Sequence, residues 1–389
     1  MAAENWTRHS QRIEEKAQRI SWSEFAAMEE KDKIIFLNNS QTGHPFHVLF
    51  SQQFNRNSLE LLCQVADRAR LINKNKLEGV DFLKGLLAGT HALNFFNQPS
   101  TRTFLSFETA QETLGMSIRD IRDPSTSSEA KGEALEDSIR TFSSYVDLMV
   151  MRHPDEEAVE KGAWVLNKSD RRIPIINGGS GKDQHPTQAL TDIYTLYKSF
   201  NGQIDGRTIV MCGDLKRGRT VRSLSYLMAN YKNVKLVFIS PSHLRMGKDI
   251  KDFLDRHQVY YCEEDSLEEV IPSADAIYMT RVQNEWDNKS TQRVQSVGPK
   301  YQFRKGHLSL MKKGAILMHP LPKRDEIEEE VGYSGDKRVV FWRQERNGMW
   351  IRVALIAVIF RKEEAFFKYT TWPEDWRSPR REKRTSGRT

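Results

Sequence analysis

The sequence predicts an α/β protein of two domains, each with a central parallel sheet flanked by helices, joined by interdomain helices. The chain has 389 residues, which exceeds the usual size of one hydrophobic core and suits two domains of roughly 150 residues each. From about residue 46, short apolar segments alternate with amphipathic segments. This alternation is typical of parallel strands connected by crossover helices.

Five segments are predicted along the chain. They are an N-terminal extension (1–45), a first domain (46–187), a second domain (188–349), a C-terminal helix that packs back across the junction (350–367) and a basic tail (368–389). The extension is polar and lacks a strong hydrophobic period, so we expect it to be peripheral and without a chemical role.

The apolar runs and the amphipathic stretches locate the individual elements. The predicted strands are 92–96, 145–151, 173–176, 209–212, 234–239, 276–279 and 315–318. The predicted helices include 102–115, 132–144, 188–200, 218–231 and a final apolar helix at about 350–361. In the fourth of these, apolar residues three or four positions apart predict one face that packs on a sheet.

The net charge of +7 is unevenly distributed. Residues 377–389 contain six basic side chains and one acidic side chain, which gives +5 and leaves +2 for all other residues. A solubilising tail accounts for this better than a nucleic-acid-binding arm, so nucleic acid is not an expected partner. Cys63, Cys212 and Cys262 have no paired spacing, so neither a disulfide nor a metal site is expected.

The longest uninterrupted apolar run covers only residues 353–360, and the first twenty residues lack an apolar signal core. No membrane association is therefore expected, and a cytoplasmic location is the default prediction.

A strand followed by a Pro turn and an amphipathic helix carries Ser100, Thr101, Arg102 and Thr103. Hydroxyls, a guanidinium and the amides of a first helical turn suit a phosphate group. Helix capping by Ser100 or Thr101 is the simpler account of either residue alone. A cation in the first turn opposes the helix dipole, and a bound anion explains its position.

Two further groups of residues are predicted at the same edge of the first sheet. His185 and Gln188 open a helix after a glycine-rich loop, where they could contact an oxyanion and an amide, although loop and cap roles explain each residue singly. Arg152 ends an apolar strand, where a cation usually has a partner anion.

In the second half, His319 begins a His-Pro-Leu-Pro turn after a strand, and its backbone carbonyls suit substrate N–H groups because proline cannot donate. Arg219 opens a helix, and Arg281 follows another strand. Two guanidiniums at this edge suit a dicarboxylate.

Together these segments resemble the aspartate and ornithine carbamoyltransferase family over residues 46 to about 361. The shared motifs, in the family's order, are Ser-Thr-Arg-Thr, Met-Arg-His-Pro, His-Pro-Thr-Gln-x-Leu-x-Asp, Asp-Leu-x-x-Gly-Arg-Thr and His-Pro-Leu-Pro-x-x-Asp-Glu. The resemblance implies a carbamoyl-phosphate-binding first domain, an aspartate-binding second domain, and carbamoyl transfer to the α-amine of L-aspartate without a metal or organic cofactor.

The resemblance also implies a role for each matching residue. The catalytic groups would be Arg102, Thr103, Arg152 and His185. Carbamoyl phosphate would be bound by Ser100, Thr101, Arg102, Thr103, Arg152, His185, Gln188, Pro320 and Leu321, with Ser127 and Lys131 from a neighbouring subunit. Aspartate would be bound by Arg219, Arg281 and Gln283. Shared sites imply a homotrimer, alone or within a larger assembly.

Two positions depart from the family pattern. Gln98 stands where the family commonly has Glu, and Trp286 stands where it has Arg. Those two residues help to hold the domains closed, so a different closing contact is expected. A different amine acceptor and a non-catalytic subunit that binds carbamoyl phosphate remain the alternatives.

Overall fold

The computed structural model describes residues 13–370, except 14, 40–41, 124–131, 181–183 and 282–297. Its strands are β1 (His91–Phe96), β2 (Ser117–Ile121), β3 (Leu148–Arg152), β4 (Ile175–Asn177), β5 (Thr208–Gly213), β6 (Lys235–Ile239), β7 (Tyr260–Glu264), β8 (Ala276–Thr280) and β9 (Ile316–Met318).

The helices alternate with these strands. They are α1 (Trp22–Ala26), α2 (Glu30–Leu37), α3 (Arg56–Ile72), α4 (Glu78–Gly85), α5 (Thr101–Thr113), α6 (Leu135–Ser143), α7 (Ala158–Lys168), α8 (Pro186–Ser199), α9 (Arg219–Met228), α10 (Lys248–Arg256), α11 (Leu267–Val270), α12 (Glu329–Gly332), α13 (Phe341–Ile359) and α14 (Glu363–Lys368).

The strands form two separate parallel sheets, which confirms the predicted fold class. The first sheet has the order β2-β1-β3-β4 and the second has the order β7-β6-β5-β8-β9. Every pairing within them is parallel, and the central strands are almost fully buried because helices cover both faces.

Each sheet reverses its strand order once, and each reversal opens a crevice. In the first sheet the reversal separates β1 from β3, whose last residues Phe96 and Arg152 are paired. In the second sheet it separates β5 from β8, where Gly213 is paired with Thr280. Ligands of open α/β sheets bind at the carboxyl ends of strands at such points, so each domain presents one ligand-binding edge.

Two helices lie where the domains meet. Helix α8 follows the last strand of the first sheet, and α13 packs against α3, α5 and α8. The sequence predicts that this last helix begins at residue 350, but it begins at Phe341. Its first turns are polar and show no apolar run in the sequence, although several of their side chains are buried. The earlier start places additional side chains near the junction.

The N-terminal extension contributes to the core of the first domain. Phe25 and Phe36 are 1% and 3% exposed, and they belong to one apolar cluster with Leu93 and Phe95 of β1. The extension is therefore integrated into the domain and is not the peripheral segment that its polar composition predicts. Within the described part of the chain, we find no helix that is both long and apolar enough to cross a membrane.

Candidate active site

A cavity of about 440 Å³ lies where the two ligand-binding edges face each other. Its lining contains all the predicted site residues that the structure describes: Ser100, Thr101, Arg102, Thr103, Arg152, His185, Gln188, Arg219, Arg281, Pro320 and Leu321. The remaining predicted residues, Ser127, Lys131 and Gln283, lie outside the described residues, as does Trp286.

The first helical turn of α5 forms one end of the cavity. Ser100 is the N-cap residue, yet its side chain makes no capping hydrogen bond and donates to Oγ1 of Thr103 instead, at 3.1 Å. Simple capping by Ser100 is therefore not observed. The first-turn amides keep their capacity to bind an anion, with the positive end of the helix dipole behind them.

Arg152 reaches the cavity from the end of β3. It is 6% exposed, and its Nη1 donates to the carbonyl of Gly178 at 3.0 Å, while its Nε is buried without a hydrogen-bond partner among the described residues. Burial, with Arg219 and Arg102 nearby, lowers the pKa of the Arg152 guanidinium to about 9. The group is still cationic at neutral pH and has a donor free for a ligand.

The loop after β4 lies against three side chains of the site, those of Arg152, His185 and Arg219. Nη1 of Arg219 donates to the carbonyl of Gly179 at 2.7 Å. Gly179 has φ +98°, and a Cβ atom placed there would lie 2.5 Å from Nη1 of Arg152 and 2.7 Å from Cδ2 of His185. Only glycine allows both side chains to pack at this point.

His185 is buried at the start of α8, where its backbone N–H donates to Oγ of Ser223 at 2.9 Å. Burial, and then the nearby charges of Arg219, Arg152 and Arg352, hold the pKa of its imidazole well below the usual 6.5. The ring is therefore neutral at physiological pH and can serve as an uncharged hydrogen-bond donor.

A buried polar network fixes the orientation of Gln188. Its Nε2 donates to Oδ1 of Asp192 at 3.0 Å, which leaves Oε1 available to accept from an amide N–H. Asp192 also accepts from Nε2 of Gln344 at 2.7 Å and from the hydroxyl of Tyr278 at 3.0 Å. Because burial raises the pKa of Asp192 to about 7, the donors around it are what support its charged form.

His319 fixes the turn on the opposite side. Its Nδ1 accepts from the backbone N–H of Leu321 at 2.8 Å, so the ring proton resides on Nε2, which donates to Oε1 of Glu326 at 2.7 Å. Oε1 of Gln344 accepts from the N–H of His319 at 3.0 Å, which joins this turn to the Asp192 network. Pro320 and Leu321 are thereby held in the cavity wall.

Sequence reasoning missed several residues of the cavity. These are Thr191, Thr220, Thr280, Glu345, Gly348 and Arg352. The last three lie on α13, three and four residues apart, which places them on one helical face. Arg352 falls within the predicted helix at about 350–361, but Glu345 and Gly348 precede its apolar run, so nothing in the sequence marks their segment as helical.

Within the described ranges, no group of His, Cys, Asp and Glu side chains has an arrangement that could hold a metal ion.

Comparisons with known proteins point to one family. A family model described as "Aspartate/ornithine carbamoyltransferase, carbamoyl-P binding domain" matches residues 19–198, and its "Asp/Orn binding domain" matches residues 205–359. Aspartate carbamoyltransferase 1, chloroplastic, of Pisum sativum is 42% identical over 313 residues, which are 80% of this chain and 78% of the relative. The catalytic subunit of Clostridium perfringens is 39% identical over 314 residues, which are 80% of this chain and 96% of the relative.

The structural similarity agrees with these matches. Trypanosoma cruzi aspartate transcarbamoylase, crystallised with carbamoyl phosphate and aspartate, matches with a TM-score of 0.72 at 33% identity, covering 80% of this chain and 95% of that chain.

Proposed function

The chain belongs to the aspartate/ornithine carbamoyltransferase family, and from this premise we propose that it transfers the carbamoyl group of carbamoyl phosphate to the α-amine of L-aspartate. The products are N-carbamoyl-L-aspartate and phosphate, in pyrimidine biosynthesis. The observation that carries this assignment is a single cavity that joins an anion-binding helix start, buried donors for an oxyanion, and two further arginines from the second domain.

The phosphate end is assigned to Ser100, Thr101, Arg102 and Thr103. Their hydroxyls, the first-turn amides and the guanidinium together match a dianion that develops more charge as it leaves. Since the Ser100 side chain is not engaged in capping, its hydroxyl is available to the ligand after rotation.

The carbamoyl group is placed between the two walls of the cavity. Arg152, His185 and Thr103 donate to its carbonyl oxygen and stabilise the oxyanion that forms on attack. Oε1 of Gln188, whose amide nitrogen is held by Asp192, accepts from the carbamoyl NH2. The carbonyls of Pro320 and Leu321 serve the same NH2 group from the other side.

The acceptor is assigned to the second domain. Arg219 and Arg281 bind the aspartate carboxylates and Gln283, outside the described residues, assists them. The neutral α-amine then attacks the carbamoyl carbon, a tetrahedral intermediate forms, and its collapse expels phosphate, which accepts the proton. Orientation of the two substrates and electrostatic stabilisation supply the rate enhancement.

The assembly and the location are part of the proposal. Ser127 and Lys131 complete a neighbouring subunit's site, which makes a homotrimer the smallest active form, to be checked by light scattering on the purified chain. The cytoplasm is the predicted compartment, although the Pisum sativum relative is named chloroplastic. Fractionation of the source cells with an antibody to the chain distinguishes the two.

A colorimetric assay of carbamoyl-aspartate formation tests the reaction, with carbamoyl phosphate and either aspartate or a panel of other amines. Arg102→Ala removes the first-turn cation, and we expect turnover to fall by several powers of ten while the far-UV spectrum is unchanged. Arg119→Ala, on exposed β2 outside the cavity, is the matched control and should keep full activity. Full activity of Arg102→Ala would refute the phosphate assignment.

A further inference from the structure

Positively charged side chains outnumber negatively charged ones among the described residues that line the cavity. Five guanidiniums face it, those of Arg102, Arg152, Arg219, Arg281 and Arg352. Among the described lining residues, Glu345 contributes the one carboxylate. None of the roles assigned above requires a fixed negative charge, and both substrates are themselves anionic, so this carboxylate needs an explanation of its own.

Glu345 lies on the same face of α13 as Gly348 and Arg352, at positions i, i+3 and i+7. Helical side chains tilt toward the helix N-terminus, so the Arg352 guanidinium extends back toward Glu345. A Cβ atom on Gly348 would lie 2.7 Å from Nη1 of Arg352, which shows that the guanidinium passes directly over this glycine. The same Nη1 donates to Oγ of Ser106 on α5 at 2.7 Å.

The electrostatic surroundings of Glu345 identify its partners. Burial raises the pKa of its carboxyl group, and the charges of Arg352 and Arg102 act in the opposite direction. Arg102 belongs to the first turn of α5, the predicted phosphate site. No hydrogen bond from a described residue reaches the Glu345 oxygens, so these guanidiniums influence it through space and not through a fixed ion pair.

A phosphate dianion at the start of α5 would be attracted by the same cations that attract Glu345, and it would be repelled by the Glu345 carboxylate. Two like charges near one cation cluster compete for it, and the effect is strong where the site is partly desolvated. The carboxylate therefore opposes binding of carbamoyl phosphate and of the inorganic phosphate product.

We propose that Glu345 is an internal counter-anion of the phosphate site, which balances Arg102 and Arg352 while the site is empty and weakens phosphate binding so that the product leaves readily. The inference rests on the proposed function and deepens it. The part of this repulsion that is equal in the bound substrate and in the transition state does not change the rate of the chemical step, because only a difference between the two states alters it. Release of phosphate, in contrast, becomes faster as its affinity falls.

Titration calorimetry of inorganic phosphate into the full-length protein tests this inference. The variants are Glu345→Gln, which keeps the shape of the side chain, and Glu345→Ala, which removes it. We expect the dissociation constant to fall by about three- to thirtyfold in both, as for loss of one repulsive charge in a partly screened site. The inhibition constant of phosphate against carbamoyl phosphate should fall by the same factor.

Glu330→Gln removes an exposed carboxylate, paired with Lys305 and remote from the cavity, and it should leave phosphate affinity unchanged. Unchanged or weaker phosphate binding by folded Glu345→Gln would overturn the inference, since the carboxylate would then be neutral toward the ligand or would position the arginines. Absence of phosphate binding by the unaltered protein would instead refute the proposed function, and the inference with it.

Discussion

Gly179 shows how the absence of a side chain allows the groups proposed to bind the oxyanion to lie close together. Its left-handed backbone and its contacts with Arg152 and His185 leave no space for a methyl group. The carbonyls of Gly178 and Gly179 orient Arg152 and Arg219 through one hydrogen bond each. One short loop therefore sets the positions of three cavity side chains.

We expect Gly179→Ala to lower turnover by about two powers of ten, since the methyl group would displace both Arg152 and His185 and a displacement of about 1 Å is enough for such a loss. Gly206→Ala is the matched control, because Gly206 also has a positive φ, +75°, but its Cβ position faces open space. Steady-state kinetics should separate the two variants. Equal losses would show that backbone strain, and not the contact, is responsible.

For single residues, the sequence predicts those members of the candidate site that follow strands. Arg152 and Arg281 stand where an apolar run stops, and Arg102 opens the helix that follows a strand and a turn; parallel strands bring such positions to one edge. Glu345 and Arg352 could not be found in the same way, because they project from the body of a helix and do not follow a strand. Their role depends on how α13 crosses the junction, which no local pattern reveals.

Among the elements, two strands escaped prediction for a common physical reason. Strands β2 and β7 lie at the outer edges of their sheets, and their residues are largely exposed or half-buried. These two strands lack the continuous apolar run that marks a buried parallel strand, and the charged sequences Ser-Ile-Arg-Asp-Ile and Tyr-Tyr-Cys-Glu-Glu conceal them. Strands β1, β3, β5 and β8 are buried and were predicted.

The extension helix α2 is hard to recognise in the sequence for a related reason. Its charged residues hide a short buried face that contains Phe36 and Leu37, and Nζ of Lys33 pairs with Glu160 of α7 at 2.6 Å. Its Glu30 accepts from Nε2 of Gln184 at 3.1 Å, directly before His185. The extension therefore supports the loop that carries an active-site side chain.

We expect Phe36→Ala to lower the free energy of unfolding by about 3–5 kcal/mol, the usual cost of truncating a buried aromatic side chain. Ile35→Ala on the same helix is the control, since Ile35 is 43% exposed, and it should cost less than about 1 kcal/mol. Urea unfolding followed by tryptophan fluorescence measures both values. Similar values for the two variants would mean that the extension is not part of the folded core.

In the whole molecule, the two parallel sheets share one topological feature. Each reverses its strand order once, and the two reversal points face a common cavity, so the edge proposed to bind phosphate and the edge proposed to bind the aspartate carboxylates meet. Composition and alternation were enough to predict two such sheets, but not their mutual placement, which depends on α8 and α13. The two helices also join the polar network around Asp192, so packing and site geometry are coupled at the junction.

Buried neutral histidines link the stability of the whole molecule to pH. His47 is fully buried, with Nδ1 accepting from the N–H of Ile175 at 3.2 Å and Nε2 lying 3.1 Å from Oδ1 of Asn167. Burial, and then the charge of Arg172, lowers its pKa from 6.5 to about 3. The pKa values of His185 and His319 are also lowered, chiefly by burial.

Below pH 6.5, His47 becomes protonated in the unfolded chain but stays neutral in the folded chain. The free energy of unfolding therefore falls as the pH falls, and His47 contributes about 1.4 kcal/mol per pH unit to this slope. Asp192, with a raised pKa of about 7, has the opposite sign, so the total slope alone does not isolate one group. We therefore expect His47→Gln to reduce the slope between pH 6 and pH 4.5 by that amount, measured by urea unfolding at each pH. An unchanged slope in His47→Gln would contradict the assignment of this pH dependence to His47.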